Sequence, residues 1–230
     1  MSNRPQQLVL DWTHEPSFAR EDYLVGPSNR AAFVTIERWP SWPARTLLLE
    51  GPEGSGKSHL AALWANTARA VTLRAEALTQ AGPPFPAHGS ALLIEDADRI
   101  GQSEDHLFHI VNSALQNEAW LLMTARVPPT RWELKTPDLL SRLRLAPTIR
   151  LEAPDIELTE AVLFKLFSDR QLHVEPHVVA HIAVRIERSL GVARKLVATL
   201  DREALAEGRH VTRALVGELL REFEQRDELP

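Results

Sequence analysis

The chain has 230 residues, 44% of them apolar and 25% charged, with a formal net charge of −5. That length suits one large domain or a domain with a smaller companion. The absence of cysteine excludes disulfides and thiolate metal sites, and the scattered Arg and Lys argue against a broad basic footprint for nucleic acid. No apolar run approaches the ~20 residues of a membrane span. The first residues lack the basic and apolar regions of a signal peptide, so the expected location is the cytoplasm.

Residues 1–22 read as an arm, polar apart from Phe18 and a short alternating stretch, Arg4–Trp12. That stretch places Leu8, Leu10 and Trp12 at every second position, behind Gln7. From its residues alone it suits an edge strand folded back on a domain and a peptide docked in a groove equally well. The apolar run Arg45–Gly51 follows, and then Ser58–Ala68, with helical spacing at Leu60, Leu63 and Trp64. Ala70–Glu76 leads into a loop rich in Gly and Pro, and Ala91–Asp98 is the next apolar run. Glu104–Ala119 predicts a helix with Leu107, Ile110, Val111 and Leu115 on one stripe. Trp120–Ala125 and Thr148–Pro154 complete the strands. Continuous apolar strands alternating with helices predict a parallel α/β sheet.

After Pro154 only helical periodicity remains, over Asp155–Asp169, Pro176–Arg188, Gly191–Glu207 and Thr212–Arg226. The expected division is an arm over 1–22, an α/β nucleotide-binding domain over 23–154 and a helical domain over 155–230. His177 and His181 are four apart on a predicted helix, but His173 lies off its face and no carboxylate completes a metal set. A solvated face is the better reading. Trp39 and Trp42 sit in a Pro-rich turn that is expected to cover the core.

The stretch Gly51–Ser58, GPEGSGKS, fits G-x-x-x-x-G-K-[ST] without a mismatch, with a strand before it and a helix after it. Gly51, Pro52, Glu53, Gly54, Ser55 and Gly56 form a loop whose backbone N–H groups can curl around phosphate oxygens. The start of the following helix, at Lys57, Ser58 and His59, adds its partial positive charge. Lys57 can reach the β- and γ-phosphates of ADP or ATP, and the Ser58 hydroxyl can ligate Mg²⁺. Glu95 and Asp96 close the apolar run Ala91–Asp98. Acids at that place hold Mg²⁺ (Glu95, with Ser58) and orient the attacking water; a solvated strand end is the bland alternative.

These motifs resemble those of AAA+ ATPases, and most closely the DnaA replication initiators and their shortened regulatory relatives, the Hda proteins. The resemblance covers about residues 20–225. It implies a five-stranded parallel P-loop sheet flanked by helices and followed by a small all-helical lid. Asp22–Phe33 is similar to the segment that packs on adenine in DnaA, which implies nucleotide contacts at Tyr23, Val25 and Asn29. Pro137–Asp155 resembles the stretch carrying the arginine finger, with Arg142 at the finger position. Gly191–Leu200 resembles the lid helix, with Arg194 at the sensor-2 position. Gln7, Leu8, Leu10 and Trp12 resemble the motif by which Hda proteins dock on the DNA polymerase III sliding clamp.

The implied function is negative regulation of replication initiation. An ADP-bound, clamp-tethered protein stimulates hydrolysis of the ATP held by DnaA, with Arg142 acting in trans and homo-oligomers possible. Neither sequence-specific DNA binding nor a membrane is expected, because the helix-turn-helix domain of DnaA has no counterpart before Pro230. Two departures imply weak hydrolysis by the chain itself. The acids stand in the order Glu95, Asp96, where the family has Asp first. Arg126 stands where DnaA has its sensor-1 aspartate, with Thr124 the nearest other polar group. The competing readings are a self-hydrolysing initiator or helicase loader acting on DNA, and a P-loop kinase for a small metabolite.

Overall fold

The computed structural model describes residues 19–78, 86–207, 211–212 and 215–221. The chain divides into two units, one ending at Ala153 and the other beginning at Pro154.

The first unit is built on strands β1 (Thr46–Glu50), β2 (Val71–Arg74), β3 (Ala91–Glu95), β4 (Trp120–Ala125) and β5 (Thr148–Arg150). They pair in the order β2-β3-β4-β1-β5, every pair parallel. Alternation along each central strand sorts its side chains into two layers. Leu48, Leu92, Ile94, Leu121 and Met123 point to one layer, with Leu107, Ile110 and Val111 of α3 (Glu104–Gln116) and Leu139 and Leu143 of α4 (Pro137–Leu145). Leu47, Leu49, Leu93 and Leu122 point to the other, with Phe33 and Ile36 of α1 (Arg30–Glu37) and Leu60, Leu63 and Trp64 of α2 (Lys57–Ala68). The central strands read as unbroken apolar runs because both faces are covered. Each buried Leu contributes about 1.5–3 kcal/mol.

The edge strands differ. Val71 on β2 is 52% exposed, and β5 alternates exposed and half-buried residues. On α3 the buried stripe is Leu107, Ile110, Val111 and Ala114, and Leu115 is 50% exposed. The expected stripe at Leu115 was one residue out: Ala114 lies seven residues, two full turns, after Leu107. Trp42 is buried, stacks on Trp64 at 5.1 Å and meets Trp120 edge-on, so the Pro-rich turn does cover the core.

The second unit is all helical: α5 (Ile156–Asp169), α6 (Pro176–Ala183), α7 (Leu190–Glu207) and a helical stretch over 215–221. Asp155 caps α5, its Oδ1 accepting from the N–H of Leu158 at 2.7 Å. Pro176 opens α6, where its missing N–H costs nothing. Leu163, Phe167, Val178, Ile182, Leu196 and Leu200 belong to the unit's own core. The predicted helix Pro176–Arg188 ends at Ala183, and the next begins at Leu190. His177 is exposed, and among the described residues no group of His, Asp and Glu is suited to hold a metal ion by itself. No helix among them is long and apolar enough to cross a membrane.

Candidate functional site

The site begins where β1 stops. Gly51 follows Glu50 and donates its N–H to the carbonyl of Ala125 at the end of β4, 3.1 Å away. On its other side the chain leaves β5 very close. A Cβ at Gly51 would stand 2.5 Å from the carbonyl oxygen of Leu151, so only glycine fits. Gly54 and Gly56 take φ of 72° and 94°, the left-handed region that turns the loop into the start of α2. The N–H groups of the first turn of α2 therefore open toward the loop.

Lys57 is buried and folds back over its own loop, donating to the carbonyls of Gly51 at 2.7 Å and Pro52 at 2.8 Å. Burial pulls the pKa of this ammonium below the ordinary lysine value, and Asp96, Asp98 and Glu53 oppose that shift while Arg126 adds to it. The Ser55 hydroxyl is buried with no hydrogen-bond partner among the described residues. Ser58, in the first turn of α2, is exposed.

Two further strands aim acids and a base at this loop. Glu95 ends β3 and is half-buried. Asp96 follows with φ 53° and ψ 45°, and its N–H donates to Oγ1 of buried Thr124 on β4 at 3.0 Å. A non-glycine residue in this region is uncommon, and Asp is among the types that tolerate it. Asp98 accepts from Nε of Arg126 at 3.4 Å, and Nη1 of Arg126 reaches Glu53 of the P-loop at 3.2 Å. The end of β3, the end of β4 and the P-loop are thus joined by one guanidinium.

The segment before α1 lies against the first turn of α2. Tyr23 is buried, stacked on Phe33 and edge-on to His59, and a ring nitrogen of His59 is 3.3 Å from the carbonyl of Ala19. Burial raises the pKa of the Tyr23 phenol, and the side chain of Asn29 acts in the opposite direction. Asn29 uses its amide within the loop, accepting from the N–H of Gly26 at 2.8 Å and donating to the carbonyl of Leu24 at 2.9 Å. The side chains of Tyr23 and Asn29 therefore shape the segment, while Val25 stands at the surface.

The structure gathers Gly51–Ser58, Asp96, Asp98 and Arg126 around one loop. Arg142 is exposed on α4, and Arg194 is half-buried on α7 of the second unit. Burial pulls the Arg194 pKa below the usual arginine value. Gln7, Leu8, Leu10 and Trp12 lie outside the described residues. Asp98 was missed as a site residue. The signal was a third acid two positions after the expected pair, in the run Glu95-Asp96-Ala97-Asp98.

The donors suit a magnesium nucleotide. Mg²⁺ takes one or two protein oxygens and leaves the rest of its shell to phosphates and water. The Ser58 hydroxyl and a carboxylate from Glu95 or Asp96 are hard oxygen donors of that kind. When bound there, Mg²⁺ would neutralise phosphate charge.

No family model matches the chain. It is 25% identical over 202 residues to the chromosomal replication initiator protein DnaA of Cutibacterium acnes, covering 76% of this chain and 40% of that one. The chain thus spans about two fifths of the length of that relative. Domain III of the Thermotoga maritima replication initiation protein DnaA superposes with a TM-score of 0.74 at 18% identity, over 91% of this chain and 98% of that domain. The chain has the AAA+ fold and is related in sequence to DnaA. AMPPCP-bound DnaA from Aquifex aeolicus superposes at a TM-score of 0.69 and 17% identity, over 93% of this chain and 71% of that one. In this AAA+ core the P-loop, β3 and β4 meet at the C-terminal edge of the sheet, where open α/β sheets bind ligands.

Proposed function

We propose that this DnaA-related AAA+ chain regulates replication initiation in the manner of Hda. It holds an adenine nucleotide, ADP at rest, on the P-loop and stimulates hydrolysis of the ATP bound to DnaA. Its arm, through Gln7, Leu8, Leu10 and Trp12, binds the sliding clamp, and Arg142 serves the nucleotide of the neighbouring DnaA. The observation that carries this reading is the position of Arg126. Its guanidinium pairs with Asp98, two residues beyond Asp96, and with Glu53 of the P-loop. A fixed positive charge thus stands at the same strand ends as the acids Glu95 and Asp96 that would otherwise serve hydrolysis of the chain's own nucleotide, while Arg142 stands exposed on α4.

A second reading is a hydrolysing, DnaA-like protein that works on DNA. It draws on the structural likeness to a DnaA bound to AMPPCP and single-stranded DNA, a TM-score of 0.67 at 16% identity. Phosphate release separates the two, measured for the purified chain alone, with DNA, and with clamp-loaded DNA plus ATP-bound DnaA. The regulator releases little phosphate alone or with DNA and accelerates release by DnaA. Strong DNA-dependent turnover by the chain alone would support the second reading instead. Replacing Leu8 and Leu10 by Ala should abolish clamp binding and leave the melting temperature unchanged. A large fall in melting temperature would place the stretch in the core.

A further inference from the structure

The two contacts of Arg126 differ in kind. The Asp98 side chain is only 7% exposed, and its second oxygen, Oδ1, is buried with no hydrogen-bond partner among the described residues. An ion pair this deeply enclosed is held firmly, because releasing the guanidinium would leave a buried carboxylate unpaired. The Glu53 side chain is 82% exposed. A pair of that sort is worth little and exchanges readily with water or with another anion. Arg126 is therefore anchored on the β3 side and loosely held on the P-loop side.

We infer that Arg126 is a resident counter-ion of the phosphate site, anchored by Asp98, which leaves Glu53 for an incoming polyphosphate and makes nucleotide retention largely independent of Mg²⁺. This inference rests on the P-loop holding a nucleotide. One observation and two physical arguments lead to it. Glu53 belongs to the P-loop itself, so the Nη1 that touches it already lies at the loop's edge. A planar guanidinium can give two parallel N–H donors to a phosphate, which the point charge of a lysine cannot. A fixed cation paired with Glu53 and Asp98 also repels a divalent ion brought to the same strand ends. Charge neutralisation that other P-loop sites obtain from bound Mg²⁺ is thus supplied here from β4. Asp98 is a positioning residue in this scheme, since it acts through Arg126.

The test is calorimetric titration of ADP into the full chain, once with Mg²⁺ and once with EDTA. Wild type should show affinities within about threefold of each other. Arg126→Ala should bind ADP at least tenfold more weakly in EDTA and regain most of the loss with Mg²⁺. Asp98→Asn should shift the same way to a smaller degree, and Arg126→Lys should restore part of the EDTA affinity. Wild type that binds ADP tightly with Mg²⁺ and loses it in EDTA overturns the inference and leaves the nucleotide reading standing. No ADP binding in either buffer overturns both. The wild-type comparison needs no variant to fold, and a thermal melt of each variant shows whether its own titration reports on the site.

Discussion

The ammonium of Lys57 lies 2.7 Å from the carbonyl oxygen of Gly51, the first residue of its own loop. The lysine is thereby poised across the place where phosphate oxygens would lie, with its hydrogen bonds lent to the backbone. Lys57→Ala should weaken ADP binding by about ten- to a hundredfold, the usual worth of a charge-assisted contact of ~1.5–3 kcal/mol. Calorimetry reads the change directly. Equal ADP affinity in wild type and variant would remove Lys57 from the binding role.

Gly51 carries a second constraint that has nothing to do with phosphate. A methyl group there would meet the Leu151 carbonyl oxygen at 2.5 Å and the Leu151 Cβ at 3.1 Å, so backbone must move. Gly51→Ala should lose about 1–3 kcal/mol in urea unfolding, the range of an overpacked core. Gly191→Ala is the contrast. Its nearest neighbour would be the Ser189 hydroxyl at 3.4 Å, and it sits in α7. That variant should be unchanged or more stable by up to about 1 kcal/mol, as alanine is the better helix former.

Much of this was readable before the structure, for a physical reason in each case. Strands β1, β3 and β4 are covered on both faces, so their burial is written as unbroken Leu, Ile and Met. The P-loop needs fixed glycines and a lysine at fixed spacing, a local requirement that leaves a local trace. The helix α1 is only eight residues long, so its buried stripe of Ala32, Phe33 and Ile36 spans little more than one turn and leaves a short trace in the sequence. The Arg126–Asp98 pair spans 28 positions and forms only because β3 and β4 are neighbours. The packing of Tyr23 between α1 and α2 and the turn that Asn29 closes are tertiary features with no local periodicity to announce them.

Glu104 opens α3 and accepts from the N–H groups of Lys135 at 2.9 Å and Thr136 at 2.5 Å, just before Pro137 starts α4. Burial pushes its pKa up, but the hydrogen bonds from Lys135 and Thr136 outweigh it and hold the carboxyl below its ordinary value. The folded protein then binds protons less readily than the unfolded chain at this site. The stabilisation is complete above the ordinary glutamate value of about 4.3 and is lost as pH falls through the lower folded value. Glu104→Gln should cost about 1 kcal/mol at pH 7, modest because the contact is partly solvated. The gap between variant and wild type should shrink in urea melts run below about pH 4. A gap that stays constant with pH would show that the charge of Glu104 does not matter.

On α4, one turn beyond Asp138, the guanidinium carbon of Arg142 lies 5.9 Å from the centre of the Phe108 ring on α3. The ring faces a cation that is otherwise exposed, and such a contact is worth about 0.5–1 kcal/mol at the surface. It limits how far the guanidinium wanders without burying it, as the finger role proposed for Arg142 would require. Arg142→Ala should keep ADP affinity and clamp binding, lose no more than about 1 kcal/mol of stability with the Phe108 contact, and lose most of the stimulation of DnaA-bound ATP hydrolysis. An arginine finger is worth ~10³–10⁵ in rate, because it meets charge that develops only in the transition state. Arg142→Lys should also fail, since an ammonium lacks the planar fork. Phe108→Leu, which keeps the packing and removes the ring, should lower stimulation only a few-fold, in line with the ~0.5–1 kcal/mol of the lost contact. The measurement is the rate of phosphate release from ATP-bound DnaA with clamp-loaded DNA and each variant. Stimulation by Arg142→Ala equal to wild type would show that the partner's hydrolysis does not run through this residue.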